Sequence, residues 1–160
     1  MASISVRPLK DEDREWAAEL ISKQWGARLV VIKGKVYYPH TLPGFVAFQG
    51  ENRMGLATYN IEGGNCELVS IQSLNGGEGI GSALLSAVRA AAESAGCSRM
   101  WLITTNDNLT ALGFYQKRGM SLVAVYPNAM EAARQLKPQI PLVGQNGIPL
   151  RDEIELEVSL

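Results

Sequence analysis

Gly76, Gly77, Gly79 and Gly81 fall within six residues of LNGGEGIGSALL, directly ahead of an apolar helix pattern. Glycines between a strand and a helix can turn several backbone N–H groups toward one point, at the positive end of the helix dipole. Such a point suits a phosphate or pyrophosphate; the alternative is a tight turn with no ligand. Other reactive residue types are sparse. His40 is the only histidine, which excludes a multi-histidine metal site and leaves one ring for any Ser-His-Asp arrangement. Its neighbours, YYPHTLPG, read as a loop, where a solvated ring is favoured over a pocket role. Cys66 and Cys97 are the only cysteines, and neither belongs to a CxxC pair. They read as two buried thiols in a reducing cytoplasm.

Elements must position these residues. Ile4 to Leu9 alternate apolar and polar residues and predict an opening strand. Asp11 is placed to cap a helix over EDREWAAELISKQW, with Trp16, Leu20 and Ile21 on one face. RLVVIKGKVYYPHTLPG gives strand-like pieces broken by Gly34 and Pro39. From Pro43 to Leu74 the chain reads as three strands joined by turns at QGEN and EGGN, an antiparallel meander. Beyond the glycines, Leu84, Leu85, Val88 and Ala92 form one stripe of a helix over Ile80 to Ala95, stopped by Gly96. SRMWLITT predicts a buried strand, NDNLTALGFYQKRG a short helix, SLVAVY a strand and NAMEAARQLK a helix ending before Pro138. In RDEIELEVSL, Ile154, Leu156 and Val158 alternate with charged or polar residues, as in a closing strand. The predicted class is α/β, with a mostly antiparallel sheet and a parallel strand-loop-helix-strand crossover in the middle.

The 160 residues, 46% apolar and 19% charged, predict one globular domain over 1–160. A net charge of −1 with scattered basic residues argues against a nucleic-acid partner. No run approaches the ~18 apolar residues of a membrane span, and MASISVRPLKDEDREW lacks a signal-peptide core. The expected location is cytoplasmic.

Three phosphate-binding patterns can be set against the loop. The P-loop fails because no Gly-Lys-Ser/Thr is present, and the dinucleotide fingerprint misses its third glycine at Ser82 or Leu84. The coenzyme A pyrophosphate loop, Gln/Arg-x-x-Gly-x-Gly/Ala, fits Gly79 and Gly81, with Gly76 where Gln or Arg is usual and Glu78 where a base is common. Downstream, Asn108, Ala111 and Tyr115 are spaced N-x-x-A-x-x-x-Y ahead of Gly119 and Met120. Loop, second motif and element order together resemble the GNAT superfamily of N-acetyltransferases over nearly the whole chain.

That resemblance implies acetyl-CoA as co-substrate, no metal, and an amine acceptor. It implies that Gly76, Gly77, Gly79, Ile80, Gly81 and Ser82 meet the pyrophosphate. Ile71 and Ser73 would bond the pantetheine arm through their backbone, with the Ile71 N–H facing the thioester oxygen. Ser82 is otherwise an ordinary first-turn residue. Asn108 would bond the arm or cap its helix, beside Ala111. Tyr115 would be the general acid for the departing thiolate, its alternative being a core ring beside Leu112. Glu67, on the strand entering the loop, would be the base that deprotonates the amine if burial raises its pKa. A solvent-facing strand-end carboxylate is the alternative.

The acceptor would lie near Trp25, Arg28, Tyr37, Tyr38, His40 and Phe45. The long segment through Pro138, Pro141 and Pro149 reads equally as part of that site, a homodimer contact or a structural strap. Neither cysteine is placed as a nucleophile, so direct ternary-complex transfer to a small-molecule amine is expected. A non-catalytic acyl-CoA sensor, a protein N-acetyltransferase and a nucleotide-binding protein are the alternatives.

Overall fold

In the computed structural model, which describes residues 3–74 and 79–160, strands form where residue alternation predicts them. β1 (Ile4–Pro8) leads into α1 (Arg14–Trp25), followed by a hairpin of β2 (Val30–Ile32) and β3 (Lys35–Tyr37). The meander is β4 (Gly44–Gln49), β5 (Asn52–Glu62) and β6 (Asn65–Ser73). Then come α2 (Ile80–Ser94), β7 (Arg99–Thr105), α3 (Leu109–Lys117), β8 (Ser121–Tyr126), α4 (Ala129–Leu136) and β9 (Glu153–Ser159). The main sheet runs β1-β4-β5-β6-β7-β9-β8, antiparallel throughout except for β6 with β7.

Neighbouring residues Val46 and Ala47, and Leu56 and Ala57, are all fully buried, so both faces of the sheet are covered. On one face, Ile80, Leu84, Leu85 and Val88 of α2 pack with Ala47, Ala57, Leu68, Leu102 and Leu156, joined by Tyr115 of α3. On the other, Ala17, Leu20 and Ile21 of α1 pack on Val46 and Leu56. Beside α1 the hairpin lays Ile32 and Tyr37 on Val69, with Leu42 and Ile103 around them. Each fully buried aliphatic side chain contributes roughly 2 kcal/mol. Gly55 lets α2 come down onto the sheet: a Cβ there would stand 2.6 Å from Ile80 Cγ2.

One expectation is corrected. Asp11 caps nothing: it lies exposed and pairs with Arg14 at 3.2 Å. Asp13 organises the entry to α1 instead, fully buried and accepting from the Lys10 N–H (2.8 Å), both Arg7 Nη atoms (2.6 and 3.0 Å) and Arg53 Nε (3.0 Å). On β9, two of the alternating carboxylates are covered. β9 runs between β7 and β8 and the hairpin reaches it, so Glu153 and Glu155 are buried. Glu153 accepts from the Lys33 N–H (3.1 Å); Glu155 accepts from Tyr126 Oη (2.7 Å) and Arg99 Nη2 (2.5 Å).

One irregularity interrupts the middle of the sheet. The β5–β6 register slips between Thr58↔Ser70 and Tyr59↔Leu68, leaving Val69 as an extra residue, a β-bulge. Before it, β6 pairs with β7 at Asn65↔Arg99, Cys66↔Met100 and Glu67↔Trp101; among the described residues the pairing goes no further. The two strands diverge from there.

The Arg7 hydrogen bond, then those of Lys10 N–H and Arg53, hold the Asp13 carboxyl well below its ordinary 3.8. A lowered folded pKa adds stability above the unfolded value and loses it as pH falls through the folded one. Asp13→Asn should therefore cost about 3 kcal/mol at pH 7 in urea denaturation, and the deficit should shrink toward zero in strong acid.

Candidate active site

The gap between β6 and β7 is the first component. Leu74 N–H bonds Met54 O across to β5 at 2.9 Å. Antiparallel alternation then gives Gln72 and Ser70 their bonds to β5 and turns the amides of Ile71 and Ser73 toward the β7 side. A strand edge turned into a gap can bind an extended chain that carries its own amides, by strand-like hydrogen bonds.

The start of α2 is the second. Gly79, with φ 78°, occupies the N-cap in the left-handed conformation that favours glycine. The first intrahelical bond is Ala83 N–H to Gly79 O, so helix geometry leaves the N–H groups of Ile80, Gly81 and Ser82 at the positive end of the dipole. The side chain of Ile80 is 1% exposed and belongs to the core; only its amide is available to a ligand. Gly81 accommodates Phe114, whose ring carbons would lie 3.1 Å from a Cβ there. Gly76 and Gly77, with Glu78, lie outside the described residues.

Arg118 adds a cation that no motif in the sequence marks. Its Nε donates to Ser82 Oγ at 2.8 Å, and its guanidinium lies 3.7 Å over the Phe114 ring. With Arg89 it flanks a groove of about 300 Å³ that runs from Ser82 past Leu85 and Ser86 to Met120. Its place four residues after Phe114 on the α3 face was the available signal.

Glu67 occupies the fork where β6 leaves β7, and it is 3% exposed. Tyr37 Oη donates to its Oε1 at 2.5 Å, while buried Oε2 has no partner among the described residues. Burial raises its pKa above the ordinary 4.5, opposed by the Tyr37 hydrogen bond and by Lys35 and Lys33. A depression of about 170 Å³, lined by Asn60, Glu62, Asn65, Glu67, Arg99 and Trp101, opens beside it. The solvent-facing alternative for Glu67 does not hold. Such a group keeps its proton to higher pH than a solvated carboxyl does.

Tyr115 is 6% exposed, edge-on to Phe114 with ring centroids 5.3 Å apart. Burial raises its phenol above the ordinary 10.0. Asn108 is the N-cap of α3, its Oδ1 accepting from the Ala111 N–H at 3.1 Å, so the first two residues of the spaced motif bond each other. The Cys66 thiol is pushed up to about 12, by burial first and then by Cys97 and Glu67, and is inert at neutral pH. Among the described residues no group of three or more His, Cys, Asp and Glu could hold a metal ion, and no helix is long and apolar enough to cross a membrane.

Of the residues expected around the acceptor, Tyr37 joins Glu67 directly. His40 buries an Nδ1 that has no partner among the described residues, and burial lowers its pKa. Phe45 instead stacks on Tyr59 at 6.0 Å in the α2-side core, and Arg28 pairs with exposed Glu15. The segment after α4 is sewn down. Lys137 Nζ donates to Leu29 O (2.9 Å), Gln145 N–H to Asp107 Oδ2 (2.8 Å), and Asn106 Oδ1 accepts from Arg151 and Asp152 N–H.

Comparison with known proteins accords with this geometry. The chain is 43% identical to the uncharacterized protein YdhI of Bacillus subtilis (strain 168), with 93% of this chain and 94% of that one covered. Among solved structures, Arabidopsis thaliana Naa50 in complex with the bisubstrate analogue CoA-Ac-MVNAL superposes with TM-score 0.73 at 20% identity, covering 99% of both chains. A GNAT family acetyltransferase from Elizabethkingia anophelis with acetyl-CoA bound gives 0.70 at 20%, covering 98% of both. The Acetyltransferase (GNAT) family model matches residues 11–120, and with most of its length under that match the chain belongs to the GNAT family, transferases that draw their acetyl group from acetyl-CoA.

Proposed function

We propose that this protein is an N-acetyltransferase that acetylates the primary amine of a small molecule by direct transfer within a ternary complex. The observation that carries the reading is the divergence of β6 from β7, with a buried carboxyl of raised pKa at its fork and the first turn of α2 at its far end. Bound acetyl-CoA supplies the activated thioester.

Each residue follows from what it can do physically. The amides of Ile80, Gly81 and Ser82, with Gly76, Gly77 and Gly79 and the Arg118 guanidinium, hold the pyrophosphate end. Ile71 and Ser73 hold the extended arm, with Asn108 and Ala111 bordering it. Glu67 takes the proton from the incoming ammonium, directly or through water, and Tyr37 keeps Oε1 oriented so that Oε2 is the receiving atom. Tyr115 returns a proton to the departing sulfur. Its raised pKa suits that role, because the burial that disfavours phenolate equally disfavours a thiolate formed beside it. With Cys66 protonated, no acetyl-cysteine relay is required.

Acetyl-CoA at 100-fold over its dissociation constant should stabilise the protein by about 2.7 kcal/mol in a melting screen, with NADH and ATP giving no shift. Gly79→Val forces a branched residue into the left-handed region and should abolish that shift; a normal shift would sink the loop assignment.

Tyr115→Phe should keep acetyl-CoA binding and lower kcat by roughly 100-fold, read as free-thiol release from an amine panel. Unchanged turnover would remove Tyr115 as the acid.

Glu67 acts as its carboxylate, so kcat/KM should fall as pH drops through a value above the ordinary 4.5. Glu67→Gln should erase this acid limb, and Tyr37→Phe, by removing a bond to the carboxylate, should move it to higher pH. An acid limb surviving in Glu67→Gln would assign the base elsewhere. The folded protein binds this proton more tightly than the unfolded chain, so Glu67's contribution to stability is present below about 4.5 and lost as pH rises through its folded pKa.

A further inference from the structure

Gln72 is a buried polar side chain that none of these roles uses. It is 4% exposed, and neither Oε1 nor Nε2 has a hydrogen-bond partner among the described residues. Buried side-chain amides are nearly always satisfied, and leaving both ends unmet is destabilising unless something else meets them. The register makes its position specific. Gln72 pairs with Leu56, whose side chain lies on the α1 face, opposite the α2-side core. The same face of β6 carries Glu67 and, beyond the bulge, Ser70, which is satisfied by Thr58 Oγ1 at 2.6 Å. Gln72 directly follows Ile71, whose amide turns into the β6–β7 gap.

We propose that Gln72 binds the acceptor, and that the acceptor carries a carboxamide or peptide unit next to its amine. This deepens the transfer reading and rests on it. A primary amide offers one acceptor and one donor in one plane. An alkyl chain would leave both unmet, a second ammonium would use only Oε1, and a carboxylate would use only Nε2. Another amide meets both at once, donating to Oε1 and accepting from Nε2. The acceptor's amine then lies within one residue of the acetyl carbonyl, on the side of β6 that also presents Glu67. No new bond chemistry is involved: Gln72 orients the acceptor, and the proton and acetyl transfers remain those described above.

The test compares kcat/KM, by free-thiol release at saturating acetyl-CoA, for alaninamide, alanine and 3-methylbutan-2-amine, whose isopropyl group replaces the amide at equal shape. The wild type should favour alaninamide over both by about tenfold or more, as expected for one to two lost hydrogen bonds. Gln72→Leu should reduce that preference by a similar factor, while its acetyl-CoA melting shift persists. Its own melting temperature should rise, because an unmet amide has been replaced by an apolar group. Gln72→Glu, which has acceptor atoms only, should lose the preference for alaninamide and gain one for 1,2-diaminopropane; it also serves if the leucine variant fails to fold. An alanyl peptide turned over much faster than alaninamide would identify a chain N-terminus as the source of the amide, and equal rates a small molecule; both outcomes support the assignment. Equal wild-type rates for alaninamide and the alkylamine, or equal losses for all three acceptors in Gln72→Leu, would overturn it. No turnover of any acceptor would overturn the transfer reading itself and this assignment with it.

Discussion

A parallel strand pair that separates after three residues is the constraint on which the rest of this structure depends. Sheets gain stability by pairing every backbone group, so an interior gap must have a physical cause and something to occupy it. The cause lies in β6 itself. The extra residue at Val69 increases local twist and carries the upper half of the strand away from β7, while pairing with β5 resumes at Ser70. β7 keeps its other edge fully engaged with β9 from Arg99 to Thr105, so it does not follow. The opening is thus built by two rigid partners that pull β6 and β7 in different directions.

The two faces around this opening are sealed differently. On the α2 side the cluster is apolar, and its phenols, Tyr115 and Tyr59, are kept neutral by burial. On the hairpin and α1 side the buried groups include Glu67, Ser70, Gln72, Glu153 and Glu155. Buried polar groups destabilise unless paired, so their concentration on one face is a cost that packing alone does not explain. Glu153, Glu155 and Ser70 are paired within the fold. Of these, Glu67 and Gln72 have side-chain atoms without a partner among the described residues, and they bracket the bulge.

Much of this was legible in the letters, and the limits are physical. The strand meander, both central helices and the glycine N-cap follow from local periodicity and backbone preference, so they could be read from the chain. The place of β9 between β7 and β8 could not, because Glu153 and Glu155 alternate with Ile154 and Leu156 just as a solvated face would. Their burial is imposed by a hairpin some 120 residues away in sequence, through the Lys33–Glu153 bond. Glu67 could be singled out by position, whereas its union with Tyr37 is a contact across 30 residues with no local signature. Asp11 misled because Asp11 and Asp13, two residues apart, are equivalent cap candidates to local sequence rules; Arg7 and Arg53 select Asp13. Gly76 and Gly77, the boldest feature of the sequence, remain tied to the site by motif alone.

Alternation along β6 finally explains how one strand presents different chemistry to its two faces. Cys66 and Leu68 face the α2-side core, and Glu67 between them faces the hairpin. Adjacent residues therefore meet opposite environments: the same strand holds an inert thiol with its pKa pushed up to about 12 and a carboxyl whose pKa burial raises above its ordinary value. Without the bulge, strict alternation would carry Ser70 and Gln72 to the α2 side and bring Ile71 to the α1 side. The extra residue reverses the phase, so Glu67 and Gln72, five positions apart, share a face that an unbroken strand would deny them. The bulge thus does two things at once: it opens a gap beside β7, and it puts Glu67 and Gln72 on one face of β6.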